Sequence, residues 1–210
     1  VDIAVEEVGP ARVRVIYTIN EGNKARIQNI TFEGNEALSN RQLRKTMKTK
    51  RAKWIFGGRY DEKKFEYDLD AIIEAYGDCG RLEAAIADTR FDYSADGKKV
   101  KITIDIGEGP EYTIASVGVA NNIAFDTDEV LMPQLVKATE GDVHNKSQVR
   151  EDAELVEKGY RDSGYLNARV QPKVTLDRET KTTHVVHDVY EGDLKYIREI
   201  TITGNTVTRD

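Results

Sequence analysis

The chain has 210 residues, 39% hydrophobic and 32% charged, proportions that suit small, well-solvated modules better than one large core. The formal net charge of -6 disfavours a nucleic-acid partner, and a single cysteine, Cys79, excludes an intramolecular disulfide framework. No run of about 18 apolar residues is present, so no segment reads as a membrane-spanning helix.

The opening residues, "VDIAVEEV", read as a strand rather than a signal peptide, so the chain is expected to be a segment of something longer. An alternating strand, "VRVIYTINEG" (13–22), closes in Glu-Gly. Arg26 to Phe32 reads as a strand turned by Gly34-Asn35. Ser39 then opens a helix with Gln42 three residues on, a capping box in which each side chain takes the other's orphan N–H. Leu43 and Met47 give this helix its apolar side, and the basic run "RKTMKTKRAK" (44–53) reads first as a solvated helix end suited to the helix dipole, with contact to phosphate or anionic lipid as the alternative. It leads into an apolar stretch, Trp54, Ile55 and Phe56, which is either a partner patch or a local core plug. A second helix is expected from about Asp61, with Phe65, Leu69, Ile72, Ile73 and Tyr76 on one stripe and Gly80 as its stop. A strand from about Leu82 to Tyr93, an Asp96-Gly97 hairpin turn, and an alternating strand through Val100, Ile102, Ile104 and Ile106 complete the order β-α-α-β-β.

The same order then recurs. "YTIASVGVANN" (112–122) is the strand, Asp126 and Glu129 the capping box, and Gly141 the expected stop of the first helix. Asn145 opens the second helix, whose stripe is Val149, Ala153, Val156 and Tyr160, with Gly164 as its stop. Ala168, Val170, Pro172, Val174 and Leu176 alternate along the next strand, and "VVHDVYEG" (185–192) closes the unit. In this last strand His187 falls in the inward slot held by Tyr17 and Ile104, which favours a shift of strand register there over a buried histidine. The chain ends on "KYIREITITGN" (195–205), the first strand of a further copy.

Gly22, Gly109 and Gly192 stand 87 and 83 residues apart, and the Tyr-x-x-x-Gly pairs at Tyr76 and Tyr160 stand 84 apart. The period is the signature of a tandem repeat. The expected organisation is the terminal hairpin of a preceding unit (1–22), two complete units (23–108 and 109–192) and the first strand of a following unit (193–210). The fold class is α+β, each module laying two helices on a three-stranded mixed sheet. If the first strand joins the last, the strand carrying Pro172 is an edge, because proline cannot donate to a ladder. Its open backbone at Arg169, Val170, Gln171, Pro172, Lys173 and Val174 is a candidate site for an added peptide strand. The equivalent edge of the first unit runs through Ala85, Ala87, Thr89 and Phe91.

Catalytic signals are sparse. His184 and His187 would point to opposite faces of a strand, with no cysteine near to complete a metal set. Cys79 has no histidine partner in view, "GEGPEY" lacks the spacing of a phosphate cradle, and Asp68 and Asp70 face different ways on a helix. No catalytic, cofactor or metal site is expected.

The residues resemble a known family. The β-α-α-β-β order, the Glu-Gly close, the "FEGN" turn and the helix end "GYRDSGYLNARV" are similar to POTRA (polypeptide-transport-associated) domains. "WIFGGRYD" followed by "DLDAIIEAYGDCG" resembles in particular the bacterial outer-membrane assembly factor BamA family. Arg81 departs from the family's Gly-Tyr-Leu at the position where the second unit has Tyr165. The resemblance implies a non-enzymatic periplasmic array attached to a membrane β-barrel outside this segment, at the cell outer membrane. Unfolded outer-membrane protein clients and accessory assembly lipoproteins are the implied partners. A POTRA region of a two-partner secretion or other outer-membrane translocation pore is the alternative.

Overall fold

The structure, a computed structural model, describes residues 2–9, 12–18, 25–52, 58–196 and 198–199. Trp54, Ile55 and Phe56, and most of the strand expected in 193–210, lie outside the described residues. Strands β1 (Asp2–Gly9) and β2 (Arg12–Thr18) form an antiparallel pair. There follow β3 (Arg26–Glu33), α1 (Asn40–Thr46), α2 (Glu62–Gly77), β4 (Ala85–Tyr93) and β5 (Lys99–Gly107). The order repeats as β6 (Thr113–Ala120), a π-helical turn (Thr127–Leu131) running into α3 (Met132–Leu135), α4 (Lys146–Asp162), β7 (Arg169–Asp177) and β8 (Thr182–Tyr190). Contacts divide the chain into two compact units, Val1–Ile72 with Ala85–Gly107, and Ile73–Ala84 with Glu108–Asp210.

Each three-stranded sheet is mixed. The orders are β3-β5-β4 and β6-β8-β7, with the outer first strand parallel to the centre and the outer hairpin strand antiparallel to it. Alternation along β5 buries Val100, Ile102, Ile104 and Ile106, the one-faced burial expected of a sheet covered on one side. In the first unit Phe65 packs with Tyr60 and Phe91, ring centroids 5.3 to 5.8 Å apart. In the second, Val149, Ala153, Val156 and Tyr160 of α4 are buried, and Tyr160 stacks edge-on with Phe125 and Tyr165.

The helix ends follow local chemistry. Ser39 and Gln42 form the capping box at α1, Asp61 accepts from the Lys64 N–H at 3.0 Å, and Asn145 accepts from the Gln148 N–H at 2.8 Å. At the far ends, the Arg81 N–H reaches the Tyr76 carbonyl at 2.9 Å and the Tyr165 N–H the Tyr160 carbonyl at 3.0 Å. These are Schellman closures with Gly80 and Gly164 in the left-handed position, at φ 78° and 97°. The Gly80 position is closed to other residues twice over, because a Cβ there would lie 2.9 Å from the Tyr112 carbonyl oxygen. Residues 73–84 pack within the second unit, where the Asp78 carboxylate accepts from the N–H and hydroxyl of Ser147 at 2.8 and 3.0 Å.

Two expectations are corrected. Gly141 does not stop the first helix of the second unit. That helix ends at Leu135 with Val136 extended, and Gly141 instead donates its N–H to the Ile114 carbonyl at 2.8 Å. His187 sits in the inward slot without a slip, paired in register with Pro172 and Val119, and is fully buried. In each unit the parallel pairing carries its bulge in the first strand, between Ile27 and Asn29 in β3 and between Ile114 and Ser116 in β6.

One buried carboxylate per unit ties helix to loop. Asp68 on α2 accepts from the N–H groups of Lys48 and Thr49 at 2.5 and 2.7 Å, and Asp152 on α4 accepts from the Ala138 N–H at 2.9 Å and the Gln148 amide at 2.8 Å. Each satisfies backbone donors of the segment that follows the unit's first helix, and both are essentially inaccessible to water. Asp68→Ala and Asp152→Ala are each expected to lose about 2–3 kcal/mol, since a charged acceptor is removed and buried N–H groups are left unmade. Urea unfolding would read that loss, hydrogen exchange would place it at residues 48–49 or 137–138, and the exposed Asp70→Ala should change stability by less than about 0.5 kcal/mol.

Candidate functional site

A three-stranded sheet has two outer strands, and in each unit the chain treats them differently. At the bulge of β3, Ile27 turns its backbone outward, donating to Gly58 O at 2.6 Å and accepting from Ala52 N at 2.9 Å. At the matching bulge of β6, Ile114 donates to Asp142 O and accepts from Gly141 N, both at 2.8 Å. The segment between the helices therefore sheathes the start of both first strands.

The other outer strands, β4 and β7, carry the candidate docking residues, and the structure places both at sheet edges. The Ser94 N–H to Lys99 carbonyl bond, 2.9 Å, closes the β4-β5 hairpin. Antiparallel alternation then turns the N–H and C=O of Tyr93, Phe91 and Thr89 outward. The Thr89 N–H is taken by the Asp88 carboxylate at 2.8 Å, whereas those of Phe91 and Tyr93 have no partner among the described residues. Ala87 falls at a bulge between Ile86 and Asp88, which ends the regular edge toward Ala85.

On β7 the outward positions are Val170, Pro172, Val174 and Leu176, with Arg169, Gln171 and Lys173 bonded inward to β8. The Val170 N–H is held by the Glu157 carboxylate of α4 at 3.1 Å, Pro172 has none, and Lys173 reaches over the sheet to Asp188 at 2.5 Å. Proline sits there without breaking the ladder, and for the same reason it removes an outward donor. Only Val170 of the β7 alternation is buried. The β4 edge thus offers two adjacent outward residues, Phe91 and Tyr93; the β7 edge is interrupted at its first two outward positions, while the N–H groups of Val174 and Leu176 beyond them likewise have no partner among the described residues.

The Glu-Gly pair that closes each unit has a physical role that periodicity did not show. Glu191 accepts from the N–H groups of Ile123 and Ala124 at 2.5 and 2.8 Å and from the Tyr160 hydroxyl at 2.9 Å. Burial pushes its carboxyl up, but these three donors outweigh it and hold its pKa below the usual carboxylate range. The equivalent pair in the first copy is Tyr76 and Glu108, where burial and then the neighbouring carboxylate raise the phenol. Tyrosine and glutamate at matching places in two repeats were the available signal. Cys79 is half-buried, its thiol pushed up mainly by burial despite Arg81, and its Sγ lies 3.4 Å from the Tyr76 carbonyl oxygen. It is a poor nucleophile in that state. His184 bonds Ser116 Oγ at 2.8 Å on the exposed face while His187 points into the core. Among the described residues no cluster of three His, Cys, Asp or Glu side chains is arranged to hold a metal.

The fold defines two successive small α+β modules, each a three-stranded mixed sheet with β4 or β7 at one edge. The family model for POTRA, described as surface antigen variable number repeat, matches residues 25–109 and 112–192, and the chain belongs to this family. It is 29% identical over 213 residues to the outer membrane protein assembly factor BamA of Neisseria meningitidis serogroup B, covering 98% of this chain and 26% of that protein. It is 29% identical over 206 residues to BamA of Neorickettsia risticii, covering 94% of this chain and 27% of that protein. The chain therefore spans about a quarter of the length of the curated relatives it matches. The crystal structure of Haemophilus influenzae BamA POTRA3-5 superposes with a TM-score of 0.66 at 27% identity, covering 88% of this chain and 73% of that one.

Two buried histidines make the second unit sensitive to acid. His144 and His187 both have their pKa lowered by burial, and for His187 the Asp152 carboxylate opposes this only in part. His144 Nδ1 lies 3.0 Å from the Thr183 hydroxyl, but neither ring nitrogen of His187 has a partner among the described residues. Both rings are neutral in the folded state at neutral pH and take up a proton more readily once unfolded. Stability is therefore complete above the unfolded histidine pKa and falls as pH drops below about 6.5, by up to about 1.4 kcal/mol per pH unit per histidine. Urea titrations between pH 7.5 and 5 would read this slope. His187→Ile, which restores the residue type of the equivalent Ile104, is expected to raise stability at pH 7 by about 1 kcal/mol and to flatten the dependence.

Proposed function

We propose that this chain is a non-enzymatic scaffold segment on the periplasmic side of the cell outer membrane, part of an outer-membrane β-barrel assembly factor. It receives extended client strands, and accessory subunits, by edge-strand pairing. The curated relatives that match nearly the whole chain carry the name outer membrane protein assembly factor, which supports the setting. The observation that carries the docking mode is the outward, unpartnered backbone of Phe91 and Tyr93 on an edge strand. Main-chain bonds there would give affinity with little demand on client sequence. In this reading the β4 edge (Ala85, Ala87, Thr89, Phe91) is the main docking strand. The guarded β7 edge (Arg169 to Val174) is secondary, and Trp54, Ile55 and Phe56 belong to an accessory contact.

We also read 1–22 and 193–210 as parts of neighbouring POTRA units, flanking two complete ones at 23–108 and 109–192. The antiparallel β1-β2 pair matches the closing hairpin of a unit. The Lys195 N–H bonds the Gly164 carbonyl at 2.9 Å, as the Tyr112 N–H bonds that of Gly80 at 2.9 Å.

An alternating amphipathic peptide of about ten residues, the length of a barrel strand, is expected to bind with a dissociation constant on the order of 1 mM. Amide shifts should concentrate at 89–93. Tyr93→Pro removes one outward donor at an edge position that tolerates proline, and should weaken binding several-fold without unfolding the unit. Shifts confined to α2 and α4, or an unchanged titration in the proline variant, would refute edge pairing.

A further inference from the structure

In the first unit a cavity of about 470 Å³ opens beside β3, lined by Asn29, Ile30, Arg44, Thr49, Lys50 and Arg51. Half of these residues are cations, in a chain whose formal net charge is -6. None of the three has a carboxylate within 4.0 Å among the described residues. Lys50 Nζ covers the α1 carbonyls of Arg44 and Met47 at 2.6 and 2.5 Å, so the negative end of that helix is already neutralised. Arg44 is braced by the Ile30 carbonyl at 3.0 Å and by the face of Phe32. Arg51 makes no bond or ion pair with any described residue. Thr49 is 4% exposed, and its hydroxyl is closed to water with no hydrogen-bond partner among the described residues. The nearest buried acid, Asp68, is occupied by the N–H groups of Lys48 and Thr49.

Two guanidinium groups and an ammonium lining one cavity suit a tetrahedral oxyanion with several acceptor oxygens better than a lone carboxylate. Ile30, the Thr49 methyl and the arginine stems supply apolar wall for a few attached carbons. We propose that this cavity binds the phosphate group of a phosphoester, either a small soluble one or the headgroup of an anionic lipid. The site is separate from the β4 edge and stands or falls independently of the docking reading.

The test titrates sn-glycerol 3-phosphate into the 15N-labelled chain at low ionic strength. The expected result is saturable amide shifts at Asn29, Ile30 and Thr49 to Arg51. Arg51→Gln, whose side chain bonds no described residue, should weaken binding about tenfold. Co-sedimentation with phosphatidylcholine vesicles, with and without phosphatidylglycerol, identifies the source. Binding that needs phosphatidylglycerol and Arg51 assigns a lipid headgroup, and glycerol phosphate saturation without vesicle binding assigns a soluble phosphoester. No saturation at concentrations on the order of 20 mM would overturn the proposal. So would an Arg51→Gln chain that titrates like the parent, or an acetate or acidic-peptide titration that shifts the same amides as strongly as the phosphoester.

Discussion

A sheet of three strands leaves two rows of backbone donors and acceptors facing outward, and two helices on one face cannot cover either row. The architecture of each unit follows from how those rows are satisfied. A bulge in the first strand turns Ile27 or Ile114 outward, and the segment between the helices pairs with it from Ala52 and Gly58, or from Gly141 and Asp142. Inter-helix length and bulge position are thus one device: without the bulge the outward residue would not meet that segment. The opposite row is left to solvent, to side chains or to a visitor.

That device needs the inter-helix segment to be held in place, and buried acids hold it. Asp68 and Asp152 draw in the backbone just after each first helix. Glu191 gathers Ile123, Ala124 and Tyr160 at the far side of the second unit. Charged acceptors bonding to backbone N–H groups in a low-dielectric setting are strong and directional. Under the proposed edge docking, such rigidity orders the edge in advance and removes part of the entropic cost of docking.

The two copies are not equivalent in what they present. The second unit places Glu157 and Pro172 on its free edge and buries a histidine where the first has isoleucine. Edge protection of this kind is the ordinary defence against unwanted strand pairing. The first unit keeps Phe91 and Tyr93 open and places Arg44, Lys50 and Arg51 around a cavity beside β3. Repeated modules joined in one chain can thus differ in edge chemistry while keeping one fold.

The β-α-α-β-β order, the capping box at Ser39, the helix stops at Gly80 and Gly164 and the mixed sheets were all legible in the sequence. Each depends on interactions a few residues apart or on strict periodicity, and a repeat states the pattern twice. The sequence also marked β4 and β7 as edges, through Pro172 and hairpin order. Whether an edge is open was decided only by tertiary structure, since Glu157 and Val170 meet across 13 positions and the outward set depends on hairpin register. The buried role of Asp68 was hidden for the same reason: its partners lie 19 and 20 residues away, on a loop with no periodicity of its own. His187 was misjudged because hydrophobic pattern treats an imidazole as polar, whereas the packed core accepts it as a neutral ring of fitting volume. Local chemistry and period are written along the chain, but which polar groups are left without partners is settled only when distant segments meet.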